Sequence, residues 1–390
     1  MTMRDTHTRR EAIKYLGGVA SMTALAGCSG GSDGGDGGGS DGGDGGGSDG
    51  SGDGASDGSG DGGGGSDGGD GSSGGSTPET QSSFRLISGP QNGVTFLMHN
   101  AAAGVLDRET DLGLDVVSGT SGESMVRLVR GDSDLAFGTT EVGLDALNRE
   151  DQFSEVQFDH DLYQVSTQTT LIEPIVVPTD SDYQTWSDLE GAKIATGPQG
   201  STYQAYYQAA LDLILGEGNY ELVYQGVTEI AQEFSANRVD AAGGPGIVSG
   251  LTPGFMQQLY SDNDIRLLGL TDESEQAIRD HGWLGLQTLP NDQFGDSIEA
   301  YTDDSETTTV RVDYCHYSTD KVSEESVYNL LNALWNNRDA LVDAHEAWRV
   351  FEDDQHWTIS LHPEIPVHPG AVRFLKEVDL WSDDLTAGSF

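Results

Sequence analysis

Three short polar segments set glycines beside hydroxyl-bearing residues just ahead of a helical pattern: Gly89-Pro90-Gln91-Asn92-Gly93-Val94-Thr95, Ser118-Gly119-Thr120-Ser121-Gly122 and Gly197-Pro198-Gln199-Gly200-Ser201-Thr202. A strand-loop-helix junction of this composition leaves backbone N–H groups free. Its glycines let a ligand approach the backbone, and the helix dipole favours negative charge there. Two readings stand for each loop: an anion cradle, or ordinary N-capping by Ser121, Ser201 or Thr202. No lysine or arginine lies in any of the three, so a bidentate guanidinium clamp would have to come from elsewhere in the fold. The candidate ligand-binding residues are Asn92, Thr95, Phe96, Ser118, Ser121, Gln199, Ser201 and Thr202.

Other chemistries fit less well. The Walker pattern Gly-x-x-x-x-Gly-Lys-[Ser/Thr] is absent, and no Gly-x-Gly-x-x-Gly follows a strand, which argues against phosphate cleavage. Gly119-Thr120-Ser121-Gly122-Glu123 misses the Gly-x-Ser-x-Gly nucleophile elbow at its last position, leaving a serine esterase as a minor alternative. His356, His362 and His368 recur every six residues among Pro363, Pro366 and Pro369, a spacing that shares no helix face and reads as structural rather than zinc-binding. Tyr203, Tyr206 and Tyr207 follow the third loop, for core packing or for contact with a ligand. The expectation is a protein that is not an enzyme and carries no cofactor or metal.

Positioning such loops requires strands that alternate with helices. From Phe84 onward, Phe84-Arg85-Leu86-Ile87, Val94 to Leu106, Leu114-Asp115-Val116-Val117 and Ser124 to Val129 give that order, and Lys193-Ile194-Ala195, Tyr203 to Leu215, Leu222-Val223-Tyr224 and Glu229 to Phe234 repeat it. Two α/β lobes built from parallel βαβ units follow. Glu123 opens a helix leading to Asp134-Leu135-Ala136, and Glu229 one leading to Asp240-Ala241-Ala242, at the same interval of eleven residues. Each lobe therefore repeats one layout.

The N-terminal part has a different character. Thr8-Arg9-Arg10 precedes an uncharged stretch from Tyr15 to Gly27 and then Cys28, the order of a twin-arginine-type signal peptide over residues 1–28 ending in a lipobox. Cys28 is the expected lipidation site. Residues 29–82, mostly Gly, Ser and Asp, read as a disordered tether. Cys315 is the only other cysteine; it lies in an alternating apolar stretch and reads as a buried small hydrophobe.

The chain has 390 residues with a formal charge of -46; residues 1–29 carry +2 and residues 30–76 carry -10, leaving -38 on residues 77–390. Lys14, Lys193, Lys321 and Lys376 are the only lysines. Such a surface repels itself in dilute buffer, whereas molar salt shortens the Debye length to about 3 Å. The composition suits a protein working in high salt, and excludes nucleic acid and anionic membrane surfaces as partners.

The segment Glu123-Ser124-Met125-Val126-Arg127-Leu128-Val129-Arg130-Gly131-Asp132-Ser133-Asp134-Leu135-Ala136 resembles the helix-to-strand segment of the TAXI family, the solute-binding subunits of one class of TRAP transporters. Gly93-Val94-Thr95-Phe96 is similar to that family's Gly-Gly-Thr-Tyr loop and Gly197 to Thr202 to its Gly-x-x-Gly-Ser loop. Asp188-Leu189-Glu190-Gly191-Ala192-Lys193 and Val367-His368-Pro369-Gly370-Ala371 match two further segments, with Val94 and Thr120 standing where the family has glycine. The resemblance covers nearly all of residues 84–380. It implies a two-lobed, periplasmic-binding-protein-like (type II) α/β fold with lobe 1 at 83–170 and 307–390 and lobe 2 at 171–306. Hinge strands would cross near 165–177 and 306–318, with the ligand in the cleft. Together with the lipobox at Cys28, it describes a receptor anchored by lipid to the outer face of the cytoplasmic membrane. That receptor would pass a small organic anion, glutamate-like or a dicarboxylate, to an integral TRAP permease driven by an ion gradient. The alternative in the same class is the binding protein of an ABC importer or a sensor.

Overall fold

Short alternating strands pair into two sheets in the computed structural model, which describes residues 78–91, 93–199, 201–294, 298–300 and 305–390. The signal segment with Cys28, the tether as far as residue 77, and Asn92 lie outside the described residues. In the first sheet β1 (Ser83–Ser88) pairs in parallel with β2 (Gly113–Ser118) and β3 (Leu135–Thr139). Helices α1 (Val94–Glu109), α2 (Ser121–Val129) and α3 (Thr140–Asn148) follow these strands in turn. The long β4 (Leu162–Glu173) then leads through Pro174 to β5 (Ile175–Pro178) of the second sheet.

The second sheet contains β6 (Lys193–Gly197), β7 (Glu221–Tyr224) and β8 (Ala241–Gly243), with α4 (Thr202–Leu215) after β6 and α5 (Ile230–Ser235) before β8. The two-residue β9 (Ile247–Val248) pairs instead with β4. After α6 (Gly254–Asp262) come β10 (Ile265–Leu267), α7 (Asp272–Arg279), β11 (Gly285–Pro290), which pairs with the return strand, and β12 (Glu299–Ala300). That return strand, β13 (Glu306–Thr319), runs antiparallel to both β3 and β4. Helices α8 (Glu324–Asn336), α9 (Arg338–Ala344) and α10 (Pro369–Glu377) close the first sheet. The strand orders are β2-β1-β3-β13-β4-β9 and β12-β10-β5-β8-β6-β7.

Packing follows the pleat. Ile194 faces a cluster with Tyr206, Tyr207, Leu211 and Ile278, whereas its neighbour Ala195 faces Ile230, Phe234, Met256 and Leu259, so helices cover both sides of the second sheet. Phe84 and Leu86 pack with Leu330, Leu331, Phe374 and Leu375 of α8 and α10. The repeated layout extends to its hydrogen bonds. Asp134 takes the Arg85 N–H on its carboxylate (2.8 Å) while its own N–H donates to the Arg85 carbonyl (3.0 Å). Asp240 does the same to Lys193, at 2.8 Å in both directions.

The paired strands β4 and β13 hold Glu173 opposite Val310 at one end and Leu162 opposite Thr319 at the other, and pass from one sheet toward the next. Two sheets, helices on their faces and a pair of connecting strands make up the two-lobed α/β, periplasmic-binding-protein-like (type II) fold with a central cleft.

Candidate functional site

Strand register locates the cleft. Thr139, the last residue of β3, lies opposite Tyr314, which lies opposite Thr169, so these three mark the carboxyl rim of the first sheet. Gly243, the last residue of β8, lies opposite Ile175, and Ala242 lies opposite Ala195 of β6, so Glu173 is two residues outside the carboxyl rim of the second sheet. The stretch 169–173 of β4 and 310–314 of β13 therefore bridges the two rims. Ligands of open α/β sheets bind outside the carboxyl ends of the strands.

The pairing is irregular here. Tyr314 pairs with Thr169 but Cys315 with Thr167, which leaves Gln168 as an extra residue in β4. A bulge turns a side chain out of the strand's alternation and is common beside functional sites. Gln168 is 1 % exposed, yet neither its amide oxygen nor its amide nitrogen has a hydrogen-bond partner. The same holds for Thr140 Oγ1 at the first turn of α3, Thr196 Oγ1 near the end of β6, Ser201 Oγ at the start of α4, both side-chain amide atoms of Gln225, and both carboxylate oxygens of Glu173. A buried polar group left unmade costs about 1–3 kcal/mol, and native folds carry few of them. Six such residues on facing strand ends form a polar set that either water or a ligand must satisfy.

The three glycine loops converge on these rims. The Thr95 side chain folds back so closely that a Cβ on Gly89 would sit 2.1 Å from its Oγ1, so a larger residue at position 89 would have to displace the Thr95 hydroxyl. The second loop joins the first through the Gly119 N–H and the Gly89 carbonyl (3.4 Å). From the other sheet, Thr202 sits against the Tyr314 phenol, and Tyr314 stacks on Phe137 with centroids 5.2 Å apart and rings parallel to 1°. Gly197, at φ +96°, lies so close to the Tyr203 ring that a Cβ would stand 2.9 Å from it, and its carbonyl accepts the Gln225 N–H (3.2 Å).

Capping separates the helices that start here. Thr120, not Ser121, caps α2 by accepting the Glu123 N–H, and Thr139 caps α3 by accepting the Val142 N–H. Helices α1 and α4 start at Gly93 and Ser201 with no side-chain cap, so their first-turn N–H groups have no side-chain acceptor. Ser201 occupies the N-cap position without capping; its hydroxyl is near the Tyr203 phenol but makes no hydrogen bond of normal geometry. Of the residues singled out from sequence, Thr95, Phe96, Ser201 and Thr202 are half-buried, Ser121 is buried, and Ser118 and Gln199 are exposed.

Electrostatics centre on Glu173. Burial pushes its carboxyl up to about 8. The Tyr207 phenol is within hydrogen-bonding reach of it, but that phenol is placed to donate to the Pro174 carbonyl (2.7 Å) and to accept the Gly244 N–H (2.8 Å). Burial likewise pushes the Tyr203 phenol up to about 12. Sequence reasoning missed Thr140, Gln168, Glu173, Thr196 and Gln225. One signal was present: Ser166-Thr167-Gln168-Thr169-Thr170 is an uninterrupted run of five polar residues inside a strand.

Two of the histidines noted in the sequence make structural hydrogen bonds. His368 Nδ1 accepts the Gly370 N–H at the start of α10 while its Nε2 contacts the Val322 carbonyl, and His362 Nε2 contacts the Gly282 carbonyl. Among the described residues no group of three or more His, Cys, Asp or Glu is placed to hold a metal ion. Nor is any helix there long and apolar enough to cross a membrane.

Residues 87–378 match the model of the NMT1-like family. Similar solved structures include the periplasmic aliphatic sulphonate binding protein SsuA of Escherichia coli, 13% identical, covering 78% of this chain and 96% of that one with a TM-score of 0.40. The protein XAC2383 of Xanthomonas citri, solved with ATP, is 12% identical over 76% of this chain and 96% of that one, with a TM-score of 0.43. The zinc-bound ligand-binding component of an ABC-type import system from Staphylococcus aureus is 12% identical over 78% and 96%, with a TM-score of 0.39.

Proposed function

We propose a receptor role, and the premise is that this chain belongs to the NMT1-like family. In this reading the protein is an extracytoplasmic solute-binding receptor. It captures a small organic anion, glutamate-like or a dicarboxylate, and delivers it to an ion-coupled TRAP-type permease, as the TAXI-like motifs imply. Its own attachment to the membrane is the lipid on Cys28.

The observation that carries the reading is the set of side chains with buried, unpartnered polar atoms on the facing strand ends, Thr140 and Gln168 on one rim and Glu173, Thr196, Ser201 and Gln225 on the other. Closing two lobes over an empty cleft strands these groups. Closing them over a polar solute satisfies them, which is how a ligand drives hinge closure. The uncapped starts of α1 and α4 supply N–H donors and positive dipole ends for a carboxylate, each worth about 0.3–1 kcal/mol and up to about 2 when partly buried.

The test is calorimetry in molar salt with L-glutamate and glutarate on the wild type and on Ser201→Ala/Thr202→Ala. Loss of a hydroxyl bonded to a charged group costs about 1.5–3 kcal/mol, so affinity for the tighter of the two is expected to fall about tenfold to a hundredfold. A folded double variant with unchanged affinity would reassign this loop to structure alone.

A further inference from the structure

Glu173 is the residue the fold leaves least explained. It ends β4, immediately before Pro174 carries the chain to the second sheet, and it is 0 % exposed. Its backbone carbonyl is held by the Thr309 hydroxyl (2.8 Å), but neither carboxylate oxygen has a partner. Four tyrosines surround it within electrostatic reach: Tyr203 and Tyr207 from α4, Tyr260 from α6 and Tyr314 from β13. Only Tyr207 comes within hydrogen-bonding reach of the carboxyl, and it makes no bond of good geometry to it. The single proton of Tyr207 goes to the Pro174 carbonyl, and the Tyr260 hydroxyl has no partner of its own.

A buried carboxylate without hydrogen bonds or a counter-ion is among the costliest groups a core can hold. Whatever compensates it must come from outside the fold, and the site is built for one kind of visitor. A carboxylate only accepts hydrogen bonds, so its complement must donate. Tyrosine rings around it add attraction for a cation. The third loop and the uncapped start of α4, beside Tyr203, offer N–H groups for a carboxylate within the same cleft.

We propose that Glu173 is the subsite for an ammonium group, and that the captured solute is an amino carboxylate whose carboxylate end is held by the helix starts. The inference rests on the receptor reading and decides between its two solute classes, favouring compounds that bear an amine over dicarboxylates that lack one. It has a proton consequence. With the cleft empty, burial keeps the Glu173 carboxyl protonated near neutral pH, up to about 8. An arriving ammonium favours the carboxylate form, so the Glu173 proton leaves to solvent as the ammonium–carboxylate pair forms. Binding of an amino carboxylate therefore strengthens as pH rises toward 8. The groups facing Glu173 are tyrosines whose burial holds their phenols above the ordinary range, so none of them titrates in this window.

Isothermal calorimetry in molar salt at pH 7, in two buffers of different ionisation enthalpy, tests this with matched pairs: L-glutamate against glutarate, and L-leucine against 4-methylpentanoate. The expected result is that at least one amine-bearing member binds about tenfold or more tighter than its amine-free partner. It should also release close to one proton per ligand. In Glu173→Gln that advantage and the proton release should both disappear, with a loss of about tenfold to a hundredfold for the amine-bearing member. The proton count on the wild type stands alone if the variant folds poorly. Amine-free members binding as tightly, with no proton released, would overturn the inference and leave the receptor reading standing. Absence of binding by both members of both pairs would overturn the two together.

Discussion

Single residues show two opposite proton linkages. His99 and His316 face each other through their Nε2 atoms (2.8 Å), flanked by Ser88 on one side and Ser166 on the other. One proton lies between the two rings, and burial disfavours a second charge-bearing proton on the pair. Burial holds His316 down to about 4 and His99 well below its ordinary range. Groups whose folded pKa is depressed contribute stability that is complete above their unfolded value of about 6.5 and is lost as pH falls toward 4. Glu173 has the reverse sign: raised from 4.5 to about 8, it contributes stability that is complete below its unfolded value and is lost as pH rises through 8. Among the acidic groups that burial shifts, Glu173 is the one whose raised value lies near 8, so it dominates the interval from 6.5 to 8. The ligand-free protein in molar salt should melt highest near pH 6.5 and lose about 2 kcal/mol of stability by pH 8. Scanning calorimetry across that range checks this, and Glu173→Gln should flatten the alkaline limb; a wild-type curve already flat there would contradict the burial of an unpaired carboxyl.

At the scale of elements, the alternation of apolar runs gave away most of the strands and helices. The eleven-residue interval shared by Glu123–Asp134 and Glu229–Asp240 was a true sign of repetition, since Asp134 and Asp240 clip Arg85 and Lys193 in the same way. The glycine loops were also legible, because the positive φ at Gly197 demands glycine and the close approach of Thr95 favours it at Gly89, in ways that composition records. Capping was not. Thr120 takes the cap that Ser121 was equally able to take, and Ser201 sits at the N-cap without using its hydroxyl; adjacent hydroxyls differ only in backbone angles that no composition reveals. The bulge at Gln168 was hidden for a related reason. A bulge adds a residue without changing residue types, so only the polar run Ser166–Thr170 pointed to it. Glu173 could not be distinguished from dozens of other acidic residues until register placed it at the strand crossing.

For the whole molecule, charge and cleft make separate demands. The -38 carried by residues 77–390 is met by few cations, and the ion pairs present are largely exposed, such as Arg85–Asp115 and Arg373–Glu325, a kind worth little individually. Self-repulsion is then relieved chiefly by salt. Circular dichroism over a salt series should show unfolding at low ionic strength and a native spectrum at molar salt. An unchanged melting temperature in dilute buffer would remove the argument for a high-salt habitat. The receptor reading depends instead on the cleft, where six side chains hold buried polar atoms without partners. The most direct measurement is mass spectrometry of the small molecules released on denaturing the protein purified from a high-salt host. The account predicts a small carboxylate bearing an amine, present at up to one per chain and able to raise the melting temperature when added back. A protein that releases nothing, and that no carboxylate stabilises, would contradict it.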